Sequence, residues 1–399
     1  MTTTINNEHK KLNVPNLRFP EFQGEWEKCI LGDITENFNL RNKDKIQYPM
    51  FSVTNDRGFV PQSEQFEGRD MVGEDIKAYK IIHTNDFAYN PARINVGSIA
   101  IYTGEKPCMI SSLYVCFKTT KEVNNEWLIQ LLKTPKMNYY YNVNGEGGVR
   151  VYLFYPNFAR IRMSIPNIEE QKKIAKLLNL IDERIATQNK IIDKLQSLIK
   201  GINQRVFKNS GNNYKLGEIC EIRSGYSGSQ LLSKKGLKVS RIETISGHKV
   251  NMERVGYVAP FESSENYRLR VGDILFSNIN SVEYIGNTAF IDKDYDLYHG
   301  MNLLRLTPNH MVVIPFYLYL LLNTNRMLNR FKTICNKAVS QASINQTELG
   351  KTVVQIPPIN TQEQICELYQ ALYTKLETES HTKSLFQNQK QYLLRQMFI

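Results

Sequence analysis

"SIPNIEEQKKIAKLLNLIDERI", Ser164 to Ile185, and "QIPPINTQEQICELYQALYTKL", Gln355 to Leu376, are two versions of one passage in a chain of 399 residues. In each, an Ile-Pro pair (Ile165-Pro166, Ile356-Pro357) leads into a helical pattern, with a glutamine at the matching position (Gln171, Gln362). The correspondence extends outward from there. "LGDI" at Leu31 matches "LGEI" at Leu216, "NDFAYN" at Asn85 matches "GDILFSN" at Gly272, and "VGSIAI" at Val96 matches "IGNTAF" at Ile285. "LLKTPKM" at Leu131 pairs with "LLNTNRM" at Leu321, "VYLFYPNF" at Val151 with "ASINQTEL" at Ala342, and the closing "NQRVF" at Phe207 with "LRQMF" at Phe398. One short match would be chance. Several in one order at a near-constant offset imply an internal duplication. The markers agree while the stretches between them differ, so one scaffold carries two payloads.

The passage decides the fold through its periodicity. Ile174, Leu178, Ile181, Ile185, Ile192, Leu195, Ile199, Ile202 and Val206, with Gln188 filling one place, step by four and three. That is the seam of a coiled coil. Asn167 stands where a helix starts, and Glu169 and Glu170 in the first turn suit the helix dipole. At ~1.5 Å per residue such a helix is roughly 50 Å long. In the second copy Ile365, Tyr369, Leu372, Leu376, Phe386, Leu393 and Met397 keep the register, while Glu379, Lys383 and Lys390 depart from it. The sequence predicts an intramolecular coiled coil with polar Gln188 and Glu379 at corresponding positions. The plainer alternative is an amphipathic helix lying on a domain.

Direction follows from linkage. "KNSGNNY", Lys208 to Tyr214, reaches at most ~25 Å, so the second domain begins where the first helix ends. The second helix starts from that domain, which makes the helices antiparallel. The expected fold is mixed α/β, with two globular domains joined by two long antiparallel helices in an internal pseudo-twofold repeat. The linear boundaries are 1–165, 166–210, 211–356 and 357–399. Strand-like runs begin at Tyr48, Gly97, Leu113, Asp273 and Leu303, and helical runs at Asn125 and Pro315. "NDRGF" and "ISGHK" mark turns.

A net charge of +11 and a pI near 9.1 favour a polyanionic partner. Cysteines 29, 108, 116, 220, 335 and 366 form no Cys-x-x-Cys pair, and no zinc pattern appears. They read as reduced structural thiols of a cytoplasmic protein. The most apolar run, "MVVIPFYLYLLLN" at Met311, falls short of the ~18–20 residues of a membrane span and contains Pro315, so no membrane partner is expected. "MTTTINNEHKKLN" has no apolar signal core. There is no Walker loop, GxGxxG, GxSxG elbow or HExxH helix. "NPAR" at Asn90 lacks the aromatic residue that a base-flipping Asn-Pro-Pro-Tyr motif needs. The chain is therefore expected to be non-catalytic, with no metal or cofactor of its own.

Two unlike heads at a set distance suit a two-part DNA site, because one turn of B-DNA spans ~34 Å. Arg can read guanine with two hydrogen bonds, Asn or Gln can read adenine, and Lys or Arg can neutralise phosphate. The candidates in the first head are Asn55, Arg57, Asn90, Arg93, Gly147, Gly148 and Arg150. Those in the second are Arg223, Tyr226, Ser227, Arg241, His248, Lys249, Lys337, Ser340 and Gln341. Loops 145–150 and 335–343 stand out because they occupy matching places with different residues. An ordinary solvated role is the alternative for each.

Three stretches carry a family likeness: "VPNLRFPEFQGEWEKCILGDI" from Val14, "IPNIEEQKKIAKLLNLIDERI" from Ile165 and "INQTELGKTVVQIPPINTQEQ" from Ile344. In this order they resemble the specificity subunit of Type I restriction-modification systems, over almost the whole chain. The resemblance implies two target recognition domains that bind a bipartite double-stranded DNA sequence across a fixed gap. It implies two methyltransferase subunits, which bring S-adenosylmethionine, and two restriction/translocase subunits, which use ATP and Mg. The polar positions in the distal helix depart from the family pattern. The competing readings are a specificity subunit of another restriction-modification architecture and a two-headed coiled-coil scaffold without DNA specificity.

Overall fold

The repeat of words returns as a repeat of elements in the computed structural model, which describes residues 12–65, 76–148, 151–207, 211–337 and 341–399. The chain divides into two compact units, residues 1–189 with 381–399 and residues 190–380. Each unit thus takes a head and one half of each long helix.

Each head is built on a four-stranded antiparallel sheet with the same strand order. In unit one the order is Thr35–Phe38, Val115–Thr119, Phe87–Tyr89, Ile99–Ile101. In unit two it is Cys220–Ser224, Leu303–Pro308, Ile274–Ser277, Thr288–Phe290. A two-stranded ribbon flanks each sheet, Glu27–Ile30 with Arg162–Ile165 and Asn212–Lys215 with Val353–Ile356. Two short helices follow each sheet: Asn125–Leu132 and Pro135–Asn144, then Pro315–Leu322 and Asn325–Ile334. Of the run beginning at Tyr48, Phe51–Thr54 forms a strand, paired with Gly58–Pro61 in a hairpin whose tip is the "NDRG" turn.

The matched words do matched work. In "LGDI" and "LGEI" an acidic side chain caps a one-turn helix: Ile30 N donates to Asp33 Oδ2 at 2.9 Å and Lys215 N to Glu218 Oε2 at 2.8 Å. Their glycines admit a neighbouring backbone, since a Cβ on Gly32 would lie 3.2 Å from the Ala159 carbonyl and one on Gly217 3.4 Å from that of Gly350. Thr134 and Thr324 cap the second short helices by accepting from Met137 N and Met327 N, and both methionines are buried. Asn85 and Gly272 both take the left-handed conformation (φ 73° and 97°) ahead of a buried aspartate that closes the turn.

Gln171 and Gln362 explain the opening echo. Gln171 accepts from Asn124 N at 2.8 Å and donates to the carbonyls of Glu122 (3.2 Å) and Pro166 (2.9 Å). Gln362 accepts from Ile314 N at 2.8 Å and donates to the carbonyls of Val312 (3.1 Å) and Pro357 (2.8 Å). Each buried amide joins the start of a long helix to the loop that begins its head's first short helix. The first marker stretch acts at the same point in unit one. Arg18 grips the buried Glu170 with two bonds of 2.8 and 2.7 Å, and Trp26 Nε1 donates to the same carboxylate.

The long helices run Ile168–Val206 and Ile359–Gln396. In unit one Ile174, Leu178 and Ile181 share a core with Leu393 and Met397, flanked by Ile185 and Phe386. In unit two Ile199 and Ile202 pack with Ile365, Tyr369, Leu372 and Leu376. Early residues of one helix meet late residues of the other in both units, so the pairing is antiparallel. Ile192, Leu195 and Val206 are half-buried on the same stripe.

Glu379, Lys383 and Lys390 occupy polar positions on the seam. Glu379 is only 9% exposed, as Gln188 is 7%, and Lys383 and Lys390 are half-buried. Lys390 Nζ bonds both oxygens of Asp182 at 2.6 and 2.7 Å, and Gln130 donates to that carboxylate at 3.0 Å. The seam also serves more than the other helix. Trp127, Leu128 and Leu131 enter the core with Ile174 and Leu178, as Tyr317, Leu318 and Leu321 do with Ile199 and Tyr369. Each fully buried large side chain there contributes about 1.5–3 kcal/mol. All six cysteines are free, and no helix among the described residues is long and apolar enough to cross a membrane.

Candidate nucleic-acid interface

Strand register fixes which loops meet. In unit one Tyr89 leads into the turn that carries Asn90 and Arg93. Asn90 Oδ1 accepts from Ala92 N and the Asn90 carbonyl from Arg93 N, both at 3.0 Å. The turn closes at Gly97 (φ 100°), where a Cβ would stand 3.2 Å from the Asn55 carbonyl, so glycine lets the hairpin tip lie against the turn. Ser98 Oγ donates to the Val53 carbonyl, fixing that contact. Leu153 N donates to the Pro91 carbonyl at 3.0 Å, which brings up the loop closed by Glu146 and Tyr152 that holds Gly147 and Gly148. Asn55, Asn90, Arg93, Gly147 and Gly148 are therefore gathered at one end of the sheet. Arg57 shares the hairpin tip and lies 4.0 Å from Glu64, with both side chains exposed, an ion pair of little strength. Arg150 lies outside the described residues.

Unit two repeats the arrangement with other residues. Ile344 N donates to the Asn278 carbonyl at 2.9 Å, in the place of the Leu153–Pro91 bond. Ile279–Asn280, Ala342–Ser343 and Asn336–Lys337 form a small sheet that presents exposed Lys337 and Gln341. Ser340 lies outside the described residues. Arg223 comes to the same end, but its guanidinium is held by Glu221 at 2.6 Å. Tyr226 stacks on Phe261 (centroids 3.9 Å apart, planes 8° apart) in an apolar cluster with Val239, Val258 and Tyr298, so its ring is used for packing. Ser227 is exposed beside it. Arg241 is exposed, with its Nε 3.5 Å from Glu243, next to Ser240, whose hydroxyl accepts from Gly300 N. His248 and Lys249 are placed apart. The His248 carbonyl accepts from Tyr319 OH, and Tyr319 packs on Phe290, opposite Ile274 at the far end of the sheet.

Two residues escaped the sequence reading. Arg305, in the strand Leu303–Pro308, is 8% exposed and donates to the carbonyls of Arg268 (3.1 Å) and Asn266 (3.2 Å). His299 is 1% exposed, and its Nε2–H donates to the Leu303 carbonyl at 2.9 Å. Burial pushes the His299 pKa down to about 4, and the Arg305 charge pushes it the same way. A depressed histidine destabilises the fold as pH falls: the unfolded chain takes up a proton near pH 6.5 and the folded one does not until about pH 4. Stability is expected to fall by about 3 kcal/mol across that window. Urea melts at a series of pH values check this, and His299→Gln should flatten the profile there. An unchanged slope in the variant would remove His299 from the account.

The family described as "Type I restriction modification DNA specificity domain" matches residues 23–197 and again 210–385. A putative type I restriction enzyme MjaX specificity subunit of Methanocaldococcus jannaschii is 38% identical over 188 residues, covering 46% of this chain and 44% of that protein. The type I restriction enzyme EcoKI specificity subunit of Escherichia coli is 24% identical, covering 56% of this chain and 53% of its own length. This chain thus spans about half the length of each. The MjaVIII specificity subunit of M. jannaschii aligns over 95% of this chain and 92% of its own at 23% identity. Among solved structures, the S subunit of a Type-I restriction-modification system from M. genitalium has the same fold. It covers 97% of this chain and 99% of its own, with a TM-score of 0.59 at 14% identity. With the duplicated scaffold matched twice over most of its length, the chain belongs to the Type I restriction-modification DNA specificity family.

Proposed function

We propose that this chain is the sequence-reading subunit of a Type I restriction-modification complex, in which each unit reads one half of a bipartite duplex target. The observation that carries this is the paired placement of unlike loops at equivalent ends of two equivalent sheets. Asn55, Asn90, Arg93, Gly147 and Gly148 stand at one, and Arg223, Ser227, Lys337 and Gln341 at the other. Hydrogen-bonding side chains on a rigid frame are what base readout requires, and the net charge of +11 suits the phosphate backbone. Two weak readings held in one chain multiply through effective concentration. The chain itself does no chemistry. Methyltransferase subunits supply S-adenosylmethionine and modify an adenine in each half-site, and ATP- and Mg-dependent restriction subunits complete the complex.

The test is to assemble the chain with its methyltransferase and map modified adenines across a genome. The expected result is one motif with two defined parts and a constant undefined gap. A single contiguous motif, or no motif, would overturn the reading.

A further inference from the structure

We propose that the cleft beside Arg305 in unit two binds one phosphate of a DNA backbone; this rests on the DNA-recognition reading above. The two sheets give the first argument. Arg305 stands opposite Leu275 in its sheet as Cys116 stands opposite Ala88 in the other. Cys116 is fully buried in an apolar cluster. The scaffold therefore needs no cation at this position, and the arginine is particular to unit two.

The second argument is energetic. A guanidinium this buried costs several kcal/mol unless it is paired. Arg305 is met by two neutral carbonyls, and its Nε–H, also buried, has no partner among the described residues. Arg223 borders the same cleft, but Glu221 already holds it. Of the two cations lining this cleft, Arg305 is the one with no carboxylate bonded to it among the described residues.

The third argument is space. The cleft is about 480 Å³, and Ser224, Ser263, Asn266, His299 and Gln346 contribute to its lining with no carboxylate among them. A phosphate oxygen there would accept from Nε and gain a charge-assisted bond in a poorly solvated place. Ser224 ends the strand that leads to Tyr226 and Ser227, so the cleft borders the loop-bearing end of the sheet. A contact of this kind sets register on the duplex and carries no sequence information.

The experiment uses the full chain, a fluorescent duplex of arbitrary sequence and a salt series. Arg305→Met, an apolar residue where the other unit tolerates one, should bind about tenfold more weakly at low salt. Its plot of log affinity against log salt should be shallower by about one unit. Asn266→Asp keeps Arg305 but sets a carboxylate in the cleft, and it should show the same shallower slope with an unchanged or raised melting temperature. Wild-type slope and affinity in a folded Arg305→Met would overturn the site while leaving DNA recognition intact. If Arg305→Met does not fold, an unchanged slope in Asn266→Asp overturns it instead. No binding by the wild type at any salt would sink DNA recognition itself. Inorganic phosphate at constant ionic strength, raising the melting temperature of the wild type but not of Arg305→Met while duplex binding is alike in both, would assign the cleft to a free anion and overturn the proposal.

Discussion

Raising monovalent salt from about 50 to about 200 mM is expected to weaken duplex binding by roughly a thousand- to a hundred-thousandfold, the range for about six to ten phosphate contacts. The sign follows from charge: 50 Lys and Arg stand against 39 Asp and Glu. Each cation that meets a phosphate releases a condensed counterion, and added salt opposes that release. Fluorescence anisotropy of a labelled duplex against the intact chain gives the slope directly. A flat response across this range would mean that no substantial phosphate contact is made, and the positive charge would then need another explanation.

The second large effect is on stability. Gln171→Leu and Gln362→Leu should each destabilise the chain by about 3–9 kcal/mol, because each strips partners from one buried carbonyl, one half-buried carbonyl and one half-buried amide at about 1–3 kcal/mol apiece. The glutamine side chains are themselves buried, which limits how far water can replace the lost bonds. Urea denaturation of both variants against wild type measures this. A loss below about 1 kcal/mol in either would show that the loop relaxes and that the repeated glutamine is incidental.

Those glutamines show how legible the sequence was. Duplication exposed them as a matched pair before any contact was known, because a side chain making three bonds to backbone cannot change without loss. The helix seam was read well wherever it was apolar. At Lys390 it showed only a polar break, because periodicity counts hydrophobic residues and cannot show that Asp182 waits opposite. The loop candidates divided on the same ground. Asn90 and Arg93 adjoin a turn that forms locally, and the structure leaves Arg93 exposed. Tyr226 was spent on Phe261 and Arg223 on Glu221, partners whose geometry the sequence does not reveal.

Arg305 was the reverse case. In "LLRLT" the alternation sets it on the face away from Leu304 and Leu306, beside Leu303, which is buried in a cluster of its own. The backbone around Asn266 and Arg268 covers that face, and only tertiary structure shows the cover.

The bond between Asp182 and Lys390 also bears on self-recognition. A half-length copy of this chain could try to satisfy its greasy stripe by zipping to its twin. In such a pairing the place of Lys390 would fall to Ile199, its counterpart in the first helix, and Asp182 would face a hydrocarbon. On a seam that also carries Gln188, Glu379 and Lys383, this oppositely charged couple thus acts as a password, rewarding union with the chain's own second helix over union with a stranger.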